Sequence, residues 1–234
     1  MDYPAWQGLY RQILLDFGFS ESGDALAAMT LDSLMKGKKI CPKDKLSDML
    51  SGNRVAVFGA AHDIDRIVCE TDFSAYVKIA ADGATGALTD NGIVPDIIVT
   101  DLDGDVALQV EANRRGTIAV IHAHGDNIPA LKEWVPRFGS RIIGTVQCDP
   151  APYGNLHNFG GFTDGDRAAL LASHFNASEI ILAGFDYSGR IGSRSGKYDY
   201  RTKLKKLEWC RRIIDFANDG RMRYFEKDAT ESPQ

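Results

Sequence analysis

Two rhythms divide the chain. Through residue 50 the apolar positions recur at helical spacing. One series is Tyr10, Ile13, Leu14 and Phe17; the next is Leu26, Met29, Leu31 and Leu34. This three-to-four-residue step marks helix stripes that face a core. Ser22 is the candidate cap of the second helix and Gly37 its stop, and residues 41–53 read as a connector. From Asn53 onward the pattern changes to short, nearly continuous apolar runs. These are VAVFG (55–59), AYVKIA (75–80), DIIVTD (96–101), GTIAVIHA (116–123), RIIGTV (141–146) and EIILAGF (179–185). Such runs, rich in β-branched residues and without strict alternation, fit strands buried on both faces.

Helical stretches fall between most of the runs, at 63–70, 84–91, 105–115, 127–135 and 164–175. The alternation predicts an α/β fold: a mostly parallel, doubly wound sheet of about six strands. The helical N-terminal segment (1–50) precedes this α/β domain (51–234). The domain ends in a helical C-terminal tail with Leu204, Leu207, Ile213, Ile214 and Phe216 as its buried stripe. Right-handed crossovers put the strand carboxyl ends on one edge, where such sheets bind ligands. Gly59, Asp101, His122 and Gly184 sit at or just past strand ends and are expected to meet there.

Composition excludes more than it assigns. The 234 residues are 44% apolar and 25% charged, as in an ordinary soluble domain. A net charge of -5 carries no nucleic-acid footprint. No run approaches the ~20 apolar residues of a membrane span. Neither partner is expected. Cys41, Cys69, Cys148 and Cys210 are scattered without a CxxC spacing, so reduced thiols are expected. The opening MDYPAWQGLY has an acid in second position and no apolar core, so a cytoplasmic location is expected.

The chemistry concentrates in DGATGALTDNGIVPDIIVTDLDGD, residues 82–105. Asp101, Asp103 and Asp105 alternate where a strand runs out, and side chains two apart on an extended segment face the same way. Carboxylates gathered so repel one another unless a cation lies between them. An oxygen-only set suits Mg²⁺, which then holds substrate phosphates as well. An acidic surface turn would not need its carboxylates on one side.

Other motifs join this edge. FGAAHD (58–63) puts the small residues Gly59 and Ala60 where a phosphate or ribose can approach backbone amides. It reads equally as a tight strand-to-helix turn. ADGATGAL (81–88) repeats the design with Asp82, Gly83 and Ala84; Asp82 either serves the site or caps a helix. In NFGGFTDGDRAALLA (158–172), Thr163 or Asp164 caps a helix with Asp166 in its first turn, and its amides can take a phosphate. IHAHGDN (121–127) sets His122, His124 and Asp126 at alternate positions. The preferred reading makes Asp126 a further Mg²⁺ or phosphate-side carboxylate, with His122 or His124 facing phosphate. GFDYSGR (184–190) ends a strand in Asp186, which either pairs with a nitrogen-rich ring or caps a loop. Residues 190–206 carry seven basic side chains against one acid, Asp199, interspersed with glycines and serines, as a mobile lid over phosphates would.

Residues 81–103 resemble the catalytic core of thiamin pyrophosphokinases. Asp82-Gly83-Ala84, then Gly92-Ile93-Val94-Pro95-Asp96, then Asp101-Leu102-Asp103 match three elements of that core in order and spacing. The resemblance implies that Asp101, Asp103 and Asp82 hold Mg²⁺ and ATP. Thr100 and Gly104 depart from the flanking Gly and Ser of that family, and the basic, helical tail departs from its β-sandwich. The thiamin pocket is therefore expected to be absent or rebuilt. The whole chain more closely resembles the archaeal hydroxymethyl-dihydropterin pyrophosphokinases, on its N-terminal helices, HAHGDN loop, DGDRA helix start, GFD strand end and KLKKLEW helix. That resemblance implies Mg²⁺-dependent transfer of diphosphate from ATP to a pterin's hydroxymethyl group, releasing AMP. Asp101, Asp103 and Asp126 would hold the metal. Lys197 and Arg194 would neutralise the migrating diphosphate. Asp186 would bind the pterin's polar edge, with Phe159, Phe162 or Tyr187 stacked on the ring. A homodimer is also expected on the family likeness.

Three rival readings stay open at this point. DIIVTDLDGD resembles the phosphorylated motif of haloacid-dehalogenase-type phosphatases, although Asp105 stands where Thr or Val is usual and two strands precede it. HAHGDN resembles the start of a metallo-β-lactamase zinc motif, with Asn127 in place of the last His. A nucleotide-binding sensor without turnover is the non-enzymatic option.

Overall fold

The computed structural model describes residues 1, 3–196 and 199–226. Its strands are β1 (Arg54–Phe58), β2 (Val77–Ala81), β3 (Ile97–Thr100), β4 (Ile118–Ala123), β5 (Ile142–Val146), β6 (Leu156–His157), β7 (Glu179–Ala183) and β8 (Met222–Tyr224). They form one sheet in the order β6-β5-β4-β3-β2-β1-β7-β8, and every pairing is parallel. β3, β4 and β5 are buried along their whole length, as their unbroken apolar runs require. The expected six strands are all present. The two extra edge strands, β6 and β8, span two and three residues, too short for any periodicity to register.

Helices cover both faces. Alternation along β4 divides the layers: Ile118 and Val120 pack in one cluster with α3 (Asp44–Leu50) and α8 (Asp164–His174). Ala119 and Ile121 pack in another with α1 (Tyr3–Phe17), α2 (Glu21–Met35), α6 (Val106–Arg115) and α7 (Ile128–Trp134). A third cluster joins α4 (Ile64–Glu70) and α5 (Ala84–Asp90) to Ala56 and Phe58 of β1. α9 (Tyr200–Ala217) takes in the second half of the basic segment, Lys203 and Lys206 included, so that half is helix and not the expected mobile loop; its N-cap Asp199 accepts from the Thr202 amide. The expected helices between strands all form within a residue or two of their bounds.

The N-terminal segment is a layer of this core. Trp6, Tyr10 and Ile13 are fully buried against the sheet's helices. The stripe on α2 is rotated from expectation: Leu26 and Met29 are 55% and 60% exposed, while Ala27, Ala28, Leu31 and Met35 face inward. Alanines there let the helix approach closely, and the polar Asp24 shares the buried face. Ser20 caps α2 by accepting from the Gly23 amide, not Ser22. The expected connector contains α3. On α9, Phe216 is exposed, and Trp209 and Cys210 join Ile213 and Ile214 in the buried stripe. No helix among the described residues is long and apolar enough to cross a membrane.

The strand order matters for function. From β1 the chain winds outward through β2, β3, β4, β5 and β6, then returns to place β7 on the other side of β1. The crevice between the carboxyl ends of β1 and β7 is thus the topological switch point, the usual ligand site of such sheets.

Candidate active site

A cavity opens at that crevice. Gly59 and Ala60 after β1, Gly184 and Phe185 after β7, Asp82 and Gly83 after β2, and Asp101 and Asp103 after β3 all line it. Gly59 and Gly184 let the two turns touch: a Cβ on Gly59 would stand 2.6 Å from the Gly184 carbonyl oxygen. Asp164, at the start of α8, and Lys203 and Lys206 of α9 complete its lining.

Four carboxylates converge here. Asp82, Asp101, Asp103 and Asp164 each offer an oxygen within 4.8 Å of the others. The local backbone accounts for this grouping. Only three non-glycine residues among those described have positive φ, and two are in this cluster: Asp82 (40°) and Leu102 (70°). A left-handed leucine costs about 1–2 kcal/mol. Burial of the Leu102 side chain and its amide bond to Thr100 Oγ1 (2.9 Å) hold it there. The turn leaves Asp101 and Asp103 on the cavity side. Asp82 is buried and accepts from Thr100 Oγ1 (2.9 Å) and Gln109 Nε2 (2.8 Å). Gly104 is required beside it, because a Cβ there would stand 2.3 Å from Asp82 Oδ2.

The electrostatics suit a bound cation. Burial and the Asp101 charge raise the Asp82 carboxyl. Burial and repulsion from Asp101 raise Asp164. Desolvation and then Asp101 and Asp82 raise Asp103, although its side chain faces the open cavity. Asp101 differs: burial opposes its charge, but the hydrogen bond and charge of His124, then Arg167 and Lys206, outweigh that and hold it low. Its Oδ1 is buried without a hydrogen-bond partner. A hard divalent ion fits this oxygen-only set, and Asp82, Asp101, Asp103 and Asp164 are the residues that would hold it.

The sign of the pH effect follows. An acid with a raised folded pKa stabilises the fold below its unfolded value and loses that contribution as pH climbs through the folded value. Asp82, Asp103 and Asp164 all act this way. Asp101 is depressed, so its contribution is already complete above about pH 5. The metal-free protein should therefore melt lower at about pH 9 than at about pH 6, and Mg²⁺ should restore more of the Tm at the higher pH. Calorimetry at both pH values checks this; an equal Mg²⁺ gain at each would contradict it.

Several expected residues lie elsewhere. Asp126 is exposed and is not among the converging carboxylates; Asp164 stands there instead. A 3₁₀ turn at Gly125–Asn127 carries Asp126 outward. Asp166 lies beneath the cavity: it accepts from the Phe162 and Thr163 amides in a capping box, and burial pushes it up to about 7. Ala84 is packed in the core behind Gly83. His122 is buried against Thr145 (3.1 Å) and kept neutral by burial and by the charge of Arg167. His124 meets Asp101 at 3.4 Å and so acts on the carboxylate rather than facing phosphate. Phe159 belongs to the core, packed between His174 and Phe175; Phe162, with Phe185, is the phenylalanine at the cavity.

Arg194 reaches the cavity wall, but its guanidinium spans Asp65 (2.6 Å) and Asp90 (2.7 Å), tying the 189–196 strap to α4 and α5. Lys197 lies outside the described residues. Asp186 lines the cavity and accepts from the Ser188 amide (2.7 Å) and Arg190 Nε (3.2 Å), with His62 Nδ1 at 3.3 Å. Tyr187 also lines it, its hydroxyl near Cys210 and Tyr224. Sequence reasoning missed Arg167, Gln109 and Asn127. Asn127 Nδ2 donates to the carbonyls of Asp101 (2.8 Å) and His122 (2.7 Å) and pins the loops together.

A parallel sheet whose carboxyl edge brings aspartates and lysines to one cavity suits phosphate handling, and the comparisons place the chain among the diphosphotransferases. A family model described as 6-hydroxymethylpterin diphosphokinase MptE-like matches residues 33–192. The chain belongs to this family. Proteins named 6-hydroxymethyl-7,8-dihydropterin pyrophosphokinase share its sequence along nearly the whole length. That of Methanocaldococcus jannaschii is 40% identical, covering 94% of this chain and 97% of its own. That of Pyrococcus furiosus is 40% identical over 97% and 99%, and that of Methanothermobacter thermautotrophicus 41% over 92% and 95%. The rivals lose their footing. Asp105 caps α6 by accepting from the Leu108 amide, and the converging ligand atoms among the described residues all come from aspartates, with His124 bonded to Asp101 behind them.

Proposed function

We propose that this enzyme transfers diphosphate from ATP to the hydroxymethyl group of 6-hydroxymethyl-7,8-dihydropterin, with Mg²⁺, and releases AMP. The observation that carries the proposal is the convergence of four carboxylates in a cavity that Lys203 and Lys206 also line. The alcohol oxygen bonds to the β-phosphorus, the bond from that phosphorus to the bridging oxygen of AMP breaks, and the alcohol proton passes to solvent. Such displacement needs alignment and charge neutralisation more than covalent chemistry. Mg²⁺ held by the carboxylates supplies neutralisation of the phosphate oxygens. Lys203 and Lys206, whose charges act on Asp103 and Asp101, add the neutralisation expected of Arg194 and Lys197. Phe162, Phe185 and Tyr187 line the cavity and offer aromatic rings to the pterin, and Asp186 meets its nitrogen-rich edge. AMP release from ATP and Mg²⁺ is measured with the dihydropterin, dihydroneopterin and thiamin as acceptors. The dihydropterin should give the highest kcat/KM. Turnover on thiamin alone, or ADP in place of AMP, would refute the proposal.

A further inference from the structure

Arg167 is 6% exposed, on the first turns of α8. Its Nη1 meets Asp164 Oδ1 at 3.0 Å and Asp101 Oδ2 at 4.0 Å. One guanidinium therefore touches two of the four converging carboxylates, from the protein side. Its Nη2 reaches Gln147 Oε1 at 3.4 Å. Gln147 Nε2 in turn donates to Asp24 Oδ2 (2.9 Å). Asp24 is buried on α2 and also accepts from Tyr10 Oη (2.7 Å) and the Gly125 amide (2.8 Å). The Gln147 carbonyl receives Trp6 Nε1 (2.9 Å). A continuous buried polar chain thus runs from the N-terminal helices to the carboxylates.

We propose that Arg167 is a positioning residue that holds Asp101 and Asp164 convergent for the divalent ion, and that Gln147 and Asp24 hold Arg167. The proposal rests on the metal role of those carboxylates. A planar guanidinium suits this task, because its fixed fork sets the orientation of the oxygens it binds. Partners that orient metal ligands commonly matter by 10–100-fold in metal affinity. The N-terminal helix pair becomes part of the catalytic framework rather than a cover for the sheet.

The test separates positioning from charge balance by sign. Coulomb's law alone says that removing a cation beside a cation site tightens metal binding. Loss of a positioning group weakens it. Mn²⁺ affinity of the full chain is measured by titration calorimetry for the native protein, Arg167→Met, Arg167→Lys and Gln147→Leu. Arg167→Met should weaken Mn²⁺ about 10-fold or more, and Gln147→Leu several-fold in the same direction. Arg167→Lys should recover part of the loss, and the pterin KM should stay unchanged throughout. Tightened or unchanged Mn²⁺ binding in Arg167→Met overturns the proposal. If that variant does not fold, Gln147→Leu decides it by the same criterion. A native protein that takes up no Mn²⁺ would remove the metal reading itself, a distinct failure.

Discussion

Asp103→Asn should cut kcat/KM for diphosphate transfer about 10³-fold, the scale of losing one well-placed electrostatic group from an active site. Asp103 faces the cavity, and its carboxyl is raised by desolvation and by Asp101 and Asp82. It is therefore held against repulsion in the metal-free protein. Its removal should raise the metal-free Tm while it destroys turnover and the Mg²⁺-induced rise in Tm. Asp101→Asn should destroy turnover equally but lower the Tm, because His124 and Arg167 would lose the charge they face. Asp105→Asn is the control. Asp105 caps α6 and stands outside the cluster, and asparagine caps a helix as well as aspartate does. Its activity should stay within a few-fold of native. Steady-state rates and melting curves on the three variants check the pattern; an active Asp103→Asn would refute the site.

The contrast between Asp103 and Asp105 shows how far the chain could be read without its fold. Local patterns were legible. β3, β4 and β5 are buried on both faces, so their apolar runs announced them, and the strand ends located Gly59, Asp82, Asp101 and Gly184. What failed were decisions among neighbours. Asp126 and Asp164 are both acidic residues after a strand, and only the 3₁₀ turn at one and the helix start at the other select between them. Phe159 and Phe162 lie three residues apart, yet the turn through Gly160 and Gly161, both at positive φ, sends one to the core and the other to the cavity. Arg167 follows Asp164 by one helical turn, a spacing that permits their pair but was not read as one. Its contacts with Asp101 and Gln147 are tertiary and left no local trace.

The second large effect concerns the strap. Gly83→Ala should lower kcat/KM for both substrates about 10²-fold, the cost of misplacing reacting groups by about an ångström. The strap lies close against the turn after β2: a Cβ on Gly83 would stand 2.0 Å from the Arg194 carbonyl oxygen. The obstacle is backbone, so rotation of a side chain cannot relieve it. Moving away strains the Arg194 bonds to Asp65 and Asp90, and Gly192, whose own Cβ would stand 2.3 Å from the Ala60 carbonyl oxygen, is drawn off the cavity as well. Stability should change little, because the strap contributes no side chain to the three apolar clusters and α5 tolerates alanine at its N-cap with only a modest loss. Mg²⁺ binding to the carboxylates should also persist, since they are held from the opposite side by Arg167, Thr100 and Gln109. Lowered kcat/KM with intact metal affinity would identify the strap as a closure element; normal turnover in Gly83→Ala would show that the strap need not lie shut for the reaction.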